Sequence, residues 1–184
     1  MAPLSRPVRP GTQRICGTPG RRDAGPSALA ATSRAALAQA RTTAMAEALR
    51  EQGDRRRSTY REMMDCAHAF NEVTWQIDDV DVARDRETRY RLLTRMYERI
   101  GPAIGNMNKA THEVRLDGPA EVSAAAERVR QMARRVQPLL KALIGDDSPE
   151  QRQDYDAAYL EFRDAYATFI HLAREALEVK NAEG

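Results

Sequence analysis

The chain of 184 residues is short of most things that would announce a chemistry. It has two cysteines, Cys16 and Cys66, so neither a disulfide framework nor a cysteine metal cage follows. A reducing, cytoplasmic setting is the simplest reading. No run of about 18 apolar residues occurs, so a membrane span is not expected. β-branched residues are sparse and no segment alternates with period two for long, which excludes a sheet protein. Phosphate loops and dinucleotide fingerprints are missing. So is the Glu-x-x-His pair that di-iron bundles place on facing helices. The three histidines, His68, His112 and His171, are scattered. Only 5% of residues are aromatic, and Trp75 is the single tryptophan.

What is present is helical. Alanine occurs 30 times, and Arg, Glu, Leu and Met supply much of the remainder. Proline and glycine concentrate in "MAPLSRPVRPGTQRICGTPGRRDAGPS", which has too little apolar surface to offset its ordering entropy. Residues 1–26 are expected to form a disordered basic tail without an export signal. Residues 27–57 form an Ala-rich helical extension whose large apolar residues are few: Leu29, Leu37, Met45 and Leu49. Met45 opens a clean helical sequence and would also serve as a translation start. Residues 58–184 are expected to form the bundle. Charge follows the same division. Residues 1–57 hold 11 Arg against 4 acidic groups, a net of +7, whereas residues 58–184 hold 18 basic and 23 acidic groups, a net of −5.

Within the bundle, apolar residues step by three and four. Tyr60, Met63, Ala67, Phe70, Val73, Ile77 and Val80 mark a first helix from about 59 to 82. Thr59 and Glu62 stand in capping-box spacing at its start, with a run straight through Gly53 as the alternative. Leu93, Met96, Tyr97, Ile100, Ile104, Met107, Thr111 and Val114 keep one phase across Gly101-Pro102. Pro102 therefore lies on the outer face of a continuing helix and predicts a kink, not a stop. At Gly118-Pro119 the phase lapses, and Pro119 suits the first helical position. Val122, Ala125, Ala126, Val129, Met132, Val136, Leu140 and Leu143 form the next stripe, with Pro138 opposite and Gly145 as its C′ residue. Ser148-Pro149-Glu150-Gln151 opens the last helix, whose broad face runs from Tyr155 to Leu177. Short connections favour antiparallel neighbours. The expected fold is all-α: an antiparallel up-down four-helix bundle with long, kinked helices, preceded by the Ala-rich extension and the tail.

Three stretches, "STYREMMDCAHAF", "EVRLDGPAEVSAAAERVR" and "YDAAYLEFRDAYATFIHLAREAL", resemble a group of uncharacterised all-helical proteins common in actinobacteria. The resemblance covers roughly residues 55–178. It implies a fold and no activity, and it carries over no functional residue.

The candidate sites are few. Cys66 and His68 are two apart and do not face each other on a helix. Asp78, Asp79, Asp81 and Asp85 could bind a divalent cation but read better as a solvated helix junction. Glu161 with Asp164, and Glu175 with Glu178, lie on the polar face and read as surface charge. No catalytic, cofactor or metal residue is assigned, and an enzyme is not expected. The basic front could neutralise nucleic-acid phosphates nonspecifically, but no aromatic residue is interleaved before Tyr60. Trp75 falls off the apolar stripe of its helix, on a flank with Met64, His68 and Val82. Either it is tucked against a neighbouring helix and broadens the core, or the flank is an interface. The expectation is a non-enzymatic bundle acting through a protein partner or as a homo-oligomer. Nucleic-acid contact and a small-ligand or metal-binding bundle rank below it.

Overall fold

The computed structural model describes residues 26–146 and 148–178. The expected tail, 1–26, lies outside them except for its last residue. Five helices follow one another: α1 (Pro26–Thr74), α2 (Ile77–Val82), α3 (Arg86–Asp117), α4 (Ala120–Gly145) and α5 (Pro149–Glu178). No strand occurs among the described residues. The chain divides into two units, Met1–Ala44 and Met45–Gly184. In the first, the described side chains from Ser33 onward are exposed.

The second unit is an up-down bundle, and its topology can be read from side-chain pairs. Along α1 and α5 the partners run in opposite directions: Tyr60 meets Phe169, Phe70 meets Phe162, and the Tyr155 hydroxyl reaches the Thr74 carbonyl at 3.2 Å. Along α1 and α3, Arg56 Nε donates to Asp117 O at 2.6 Å, while Thr111 lies beside Met63 further up. α3 and α4 pair as Val114 with Ser123 and Asn108 with Arg130. Arg135 of α4 holds Glu161 of α5. Each long helix is thus antiparallel to both neighbours.

The expected stripes are the core. Tyr60, Met63, Phe70, Met96, Ile100, Met107, Val129, Leu140 and Phe162 are almost fully inaccessible. Each such side chain contributes roughly 1.5–3 kcal/mol by leaving water. Helices α3 and α4 continue through Pro102 and Pro138, both exposed, so the lost hydrogen bonds fall on the solvent side.

Four boundaries differ from expectation. α1 does not start at Thr59. It runs through Gly53, whose helix penalty of about 1 kcal/mol is spread over good helix formers on either side. Thr59 is buried in mid-helix, where its hydroxyl donates to the Arg55 carbonyl at 3.0 Å, with Asp117 Oδ2 at 3.2 Å as the alternative acceptor. The helix expected over 59–82 is interrupted at Trp75-Gln76. There Thr74 turns its hydroxyl back onto the carbonyls of Phe70 (3.2 Å) and Asn71 (2.9 Å), and beyond Trp75, whose amide still reaches Asn71 O, the amides of Gln76, Asp78 and Asp79 make i−3 bonds. Ile77 and Val80 stay buried beyond the break. Pro119 is the N-cap of α4, one position earlier than expected. Gly145 is the last residue of α4 rather than its C′ residue, and extended Asp146 follows. The start of α5 is as expected: Gln151 N donates to Ser148 Oγ at 3.3 Å.

Gly118 closes the α3–α4 turn for a steric reason. A Cβ there would stand 2.7 Å from the Val114 carbonyl oxygen and 3.2 Å from the Tyr60 hydroxyl. At Gly53 a Cβ would meet nothing within 4 Å. Gly118→Ala is therefore expected to destabilise by about 1–3 kcal/mol. Gly53→Ala should stabilise by about 0.5–1 kcal/mol. Urea midpoints of the two variants against the parent check the opposite signs.

Candidate interaction surface

Trp75 stands where α1 ends. The residue is 57% exposed, and its side chain also meets the Tyr159 hydroxyl of α5, so it is open to solvent on one side and set against the neighbouring helix on the other. The helix break explains this. Ile77 and Val80 of α2 face the core, which turns the opposite face of α2 outward. Positions 75, 78, 79 and 82 share that outer face by their spacing of three, four and seven. Val82, at 78%, is as open as any large apolar side chain described. Asp78 and Asp79 lie between the two apolar groups, exposed, and neither joins an ion pair among the described residues.

The four residues of the expected flank do not share one environment. Val82 is open to solvent, Trp75 is partly exposed beside Tyr159, and Met64 is half-buried against the core. The backbone carbonyl of Met64 accepts from the Tyr166 hydroxyl at 3.3 Å, which places that part of α1 against α5. His68 is exposed, with Glu72 3.4 Å from its Nε2. The spacing 75/78/79/82 could have added Asp78 and Asp79 to the flank.

The acidic cluster is split by role. Asp81 is ion-paired with Arg152, whose Nε also meets Asp156 at 3.0 Å, and this ties α2 to the first turns of α5. Asp85 caps α3, accepting from Thr88 N and Thr88 Oγ1, both at 2.8 Å. Among the described residues no three His, Cys, Asp or Glu side chains converge as a metal site. His112 and His171 are exposed, the latter 3.4 Å from Glu175. Glu161 is taken up by Arg135. Cys66 is half-buried beside the core; burial pushes its thiol pKa up, and Glu62 and Asp65 push the same way. A thiolate is thereby disfavoured.

Comparison with protein-family models, with curated proteins and with solved structures gives no match.

A second surface lies at the other end of the bundle. A cleft of about 390 Å³ opens between α1 and the last turn of α5. Leu49, Ala176 and Leu177 give it apolar walls, and Arg50, Arg56 and Arg57 surround them. Arg57 holds Asp54 at 3.0 Å and Arg56 is directed to the Asp117 carbonyl. Arg50 joins no ion pair among the described residues. No described helix is long and apolar enough to cross a membrane.

The cap of α3 sets a pH dependence. Hydrogen bonds from Thr88, the backbone one first, hold the Asp85 carboxyl below the usual aspartate range. A carboxylate with a lowered folded pKa stabilises above its unfolded pKa and loses that contribution as pH falls through the folded value. Asp85→Ala should therefore lower the thermal midpoint at pH 7. The gap to the parent should close below about pH 4, the unfolded range. Melting curves across that window check it.

Proposed function

We propose that this protein is a non-enzymatic helical bundle that acts through protein contacts, in a cytoplasmic setting, with the outer face of α2 as its interface. The observation that carries this reading is the exposed indole of Trp75, set beside Val82 on a face that the core does not need. Single exposed apolar residues are ordinary. A tryptophan and a valine flanking two carboxylates that join no ion pair among the described residues are less so, because tryptophan concentrates in the central, desolvated part of interfaces. The likeness to actinobacterial bundle proteins, which implies a fold without an activity, agrees with this.

A second reading has its own observation. Arg50, Arg55 and Arg57 are all exposed along the part of α1 within the bundle unit, a group of cations able to neutralise phosphates. It ranks lower because no aromatic side chain stands among them to stack on bases. Retention on DNA that falls steeply with salt, and is lost with residues 1–57, would favour it.

The protein-contact reading predicts that Trp75→Ala keeps helicity and changes unfolding free energy by less than about 0.5 kcal/mol, as for a surface site. Nuclease-treated co-purification from the native host should then lose a stoichiometric companion that the parent retains. Loss of the fold, or an unchanged set of companions, would contradict it.

A further inference from the structure

We propose that the outer face of α2 docks into the arginine-lined cleft of a second copy of this chain, so that copies associate head to tail. This rests on the reading of that face as an interface and adds its occupant.

The two surfaces are complementary in kind. The α2 face offers a partly exposed indole and a valine around two carboxylates that join no ion pair among the described residues. The cleft offers Leu49 and Leu177 beside Arg50 and Arg57. In this pairing Trp75 covers the leucines, and Asp78 and Asp79 face the guanidiniums. Arg50 joins no ion pair among the described residues, and Arg57 has only its exposed partner Asp54 to exchange. Opposed patches of this kind speed encounter and fix register.

One chain cannot satisfy itself. Arg50 and the end of α1 are joined by unbroken helix, and 24 residues at 1.5 Å each separate them by about 36 Å. The meeting of ridge and cleft has to be intermolecular. Because ridge and cleft are different surfaces, the contact is heterologous. It leads to rings or open chains of copies instead of a closed two-fold pair.

The test is charge exchange on the full chain, read by sedimentation over a range of concentration and salt. The parent should grow in mass past two copies of 20.6 kDa at low salt, and return toward single chains as salt shortens the screening length. Asp78→Arg with Asp79→Arg should abolish growth. So should Arg50→Asp with Arg57→Asp. An equal mixture of the two variants should assemble, because each reversed surface then meets its complement. Trp75→Ala, which leaves every charge in place, should weaken growth without altering helicity. Circular dichroism and urea midpoints verify that the exchanged variants are folded, and Trp75→Ala keeps the test decisive should one of them not be. A parent that stays monomeric, assembly that stops at two copies, or exchanged variants that fail to assemble when mixed would overturn the proposal. A monomeric parent whose host companion is still lost on Trp75→Ala would overturn only the second copy as occupant and leave the interface reading standing.

Discussion

Phe70 and Phe162 meet with ring centroids 4.5 Å apart, and the bundle is organised around that contact. It is the middle of a seam between α1 and α5. Tyr60 and Phe169 close one end edge to face, with centroids 6.3 Å apart. The hydroxyls of Tyr166, Tyr159 and Tyr155 mark off the seam toward the other end, at Met64 O, Asn71 Oδ1 and Thr74 O. Each of these three buries an apolar ring and still satisfies its polar tip, whereas the buried Tyr60 hydroxyl has no hydrogen-bond partner among the described residues. Burial raises the pKa of all three, so they remain neutral donors through the physiological range. The other two long helices pack with small and flexible side chains, Ala103, Ala110, Ala126, Ala133, Met107 and Met132, which fit whatever spacing the aromatic seam sets.

The seam ends at Thr74, and the candidate surface begins one residue later. Tyr155 uses the Thr74 carbonyl, and Thr74 returns its own hydroxyl to the preceding turn, so α1 stops there. The short α2 then carries two jobs on two faces. Inward, Ile77 and Val80 close the bottom of the core, and Asp81 locks onto Arg152. Outward, Asp78, Asp79 and Val82 are exposed, and Trp75 is partly exposed while its side chain also meets the Tyr159 hydroxyl of α5.

Much of this was legible in the residues. Periods of three and four in Leu93–Val114 and Val122–Leu143 named the buried face of α3 and α4 almost residue for residue, because amphipathic helices of that length have one way to bury a stripe. Steady phase across Pro102 and Pro138 identified prolines that do not end helices. Ser148-Pro149 gave the start of α5. The stop of α1 at Thr74 was not legible. Its cause is tertiary: the partner of the Thr74 carbonyl lies 81 residues away on Tyr155. Local propensity sees nothing unusual in "NEVTWQIDDV", and Ile77 and Val80 continue the period regardless. At Gly118 the tightest contact is local, the Val114 carbonyl four residues back, and the approach of Tyr60 from another helix adds to it. For the surface, spacing pointed to Trp75 and Val82 but also drew in Met64, which sits against the core.

The central claim is that the aromatic seam holds the fold and leaves the α2 face free. A double-mutant cycle between Phe70→Leu and Phe162→Leu, read from urea unfolding, tests it most directly. Leucine keeps both sites apolar, so the cycle isolates the ring–ring contact. Coupling of about 0.5–1.5 kcal/mol, in the range of buried aromatic pairs, is the predicted result. Additive losses, with no coupling between the two sites, would contradict the account and move the organising contact elsewhere in the bundle.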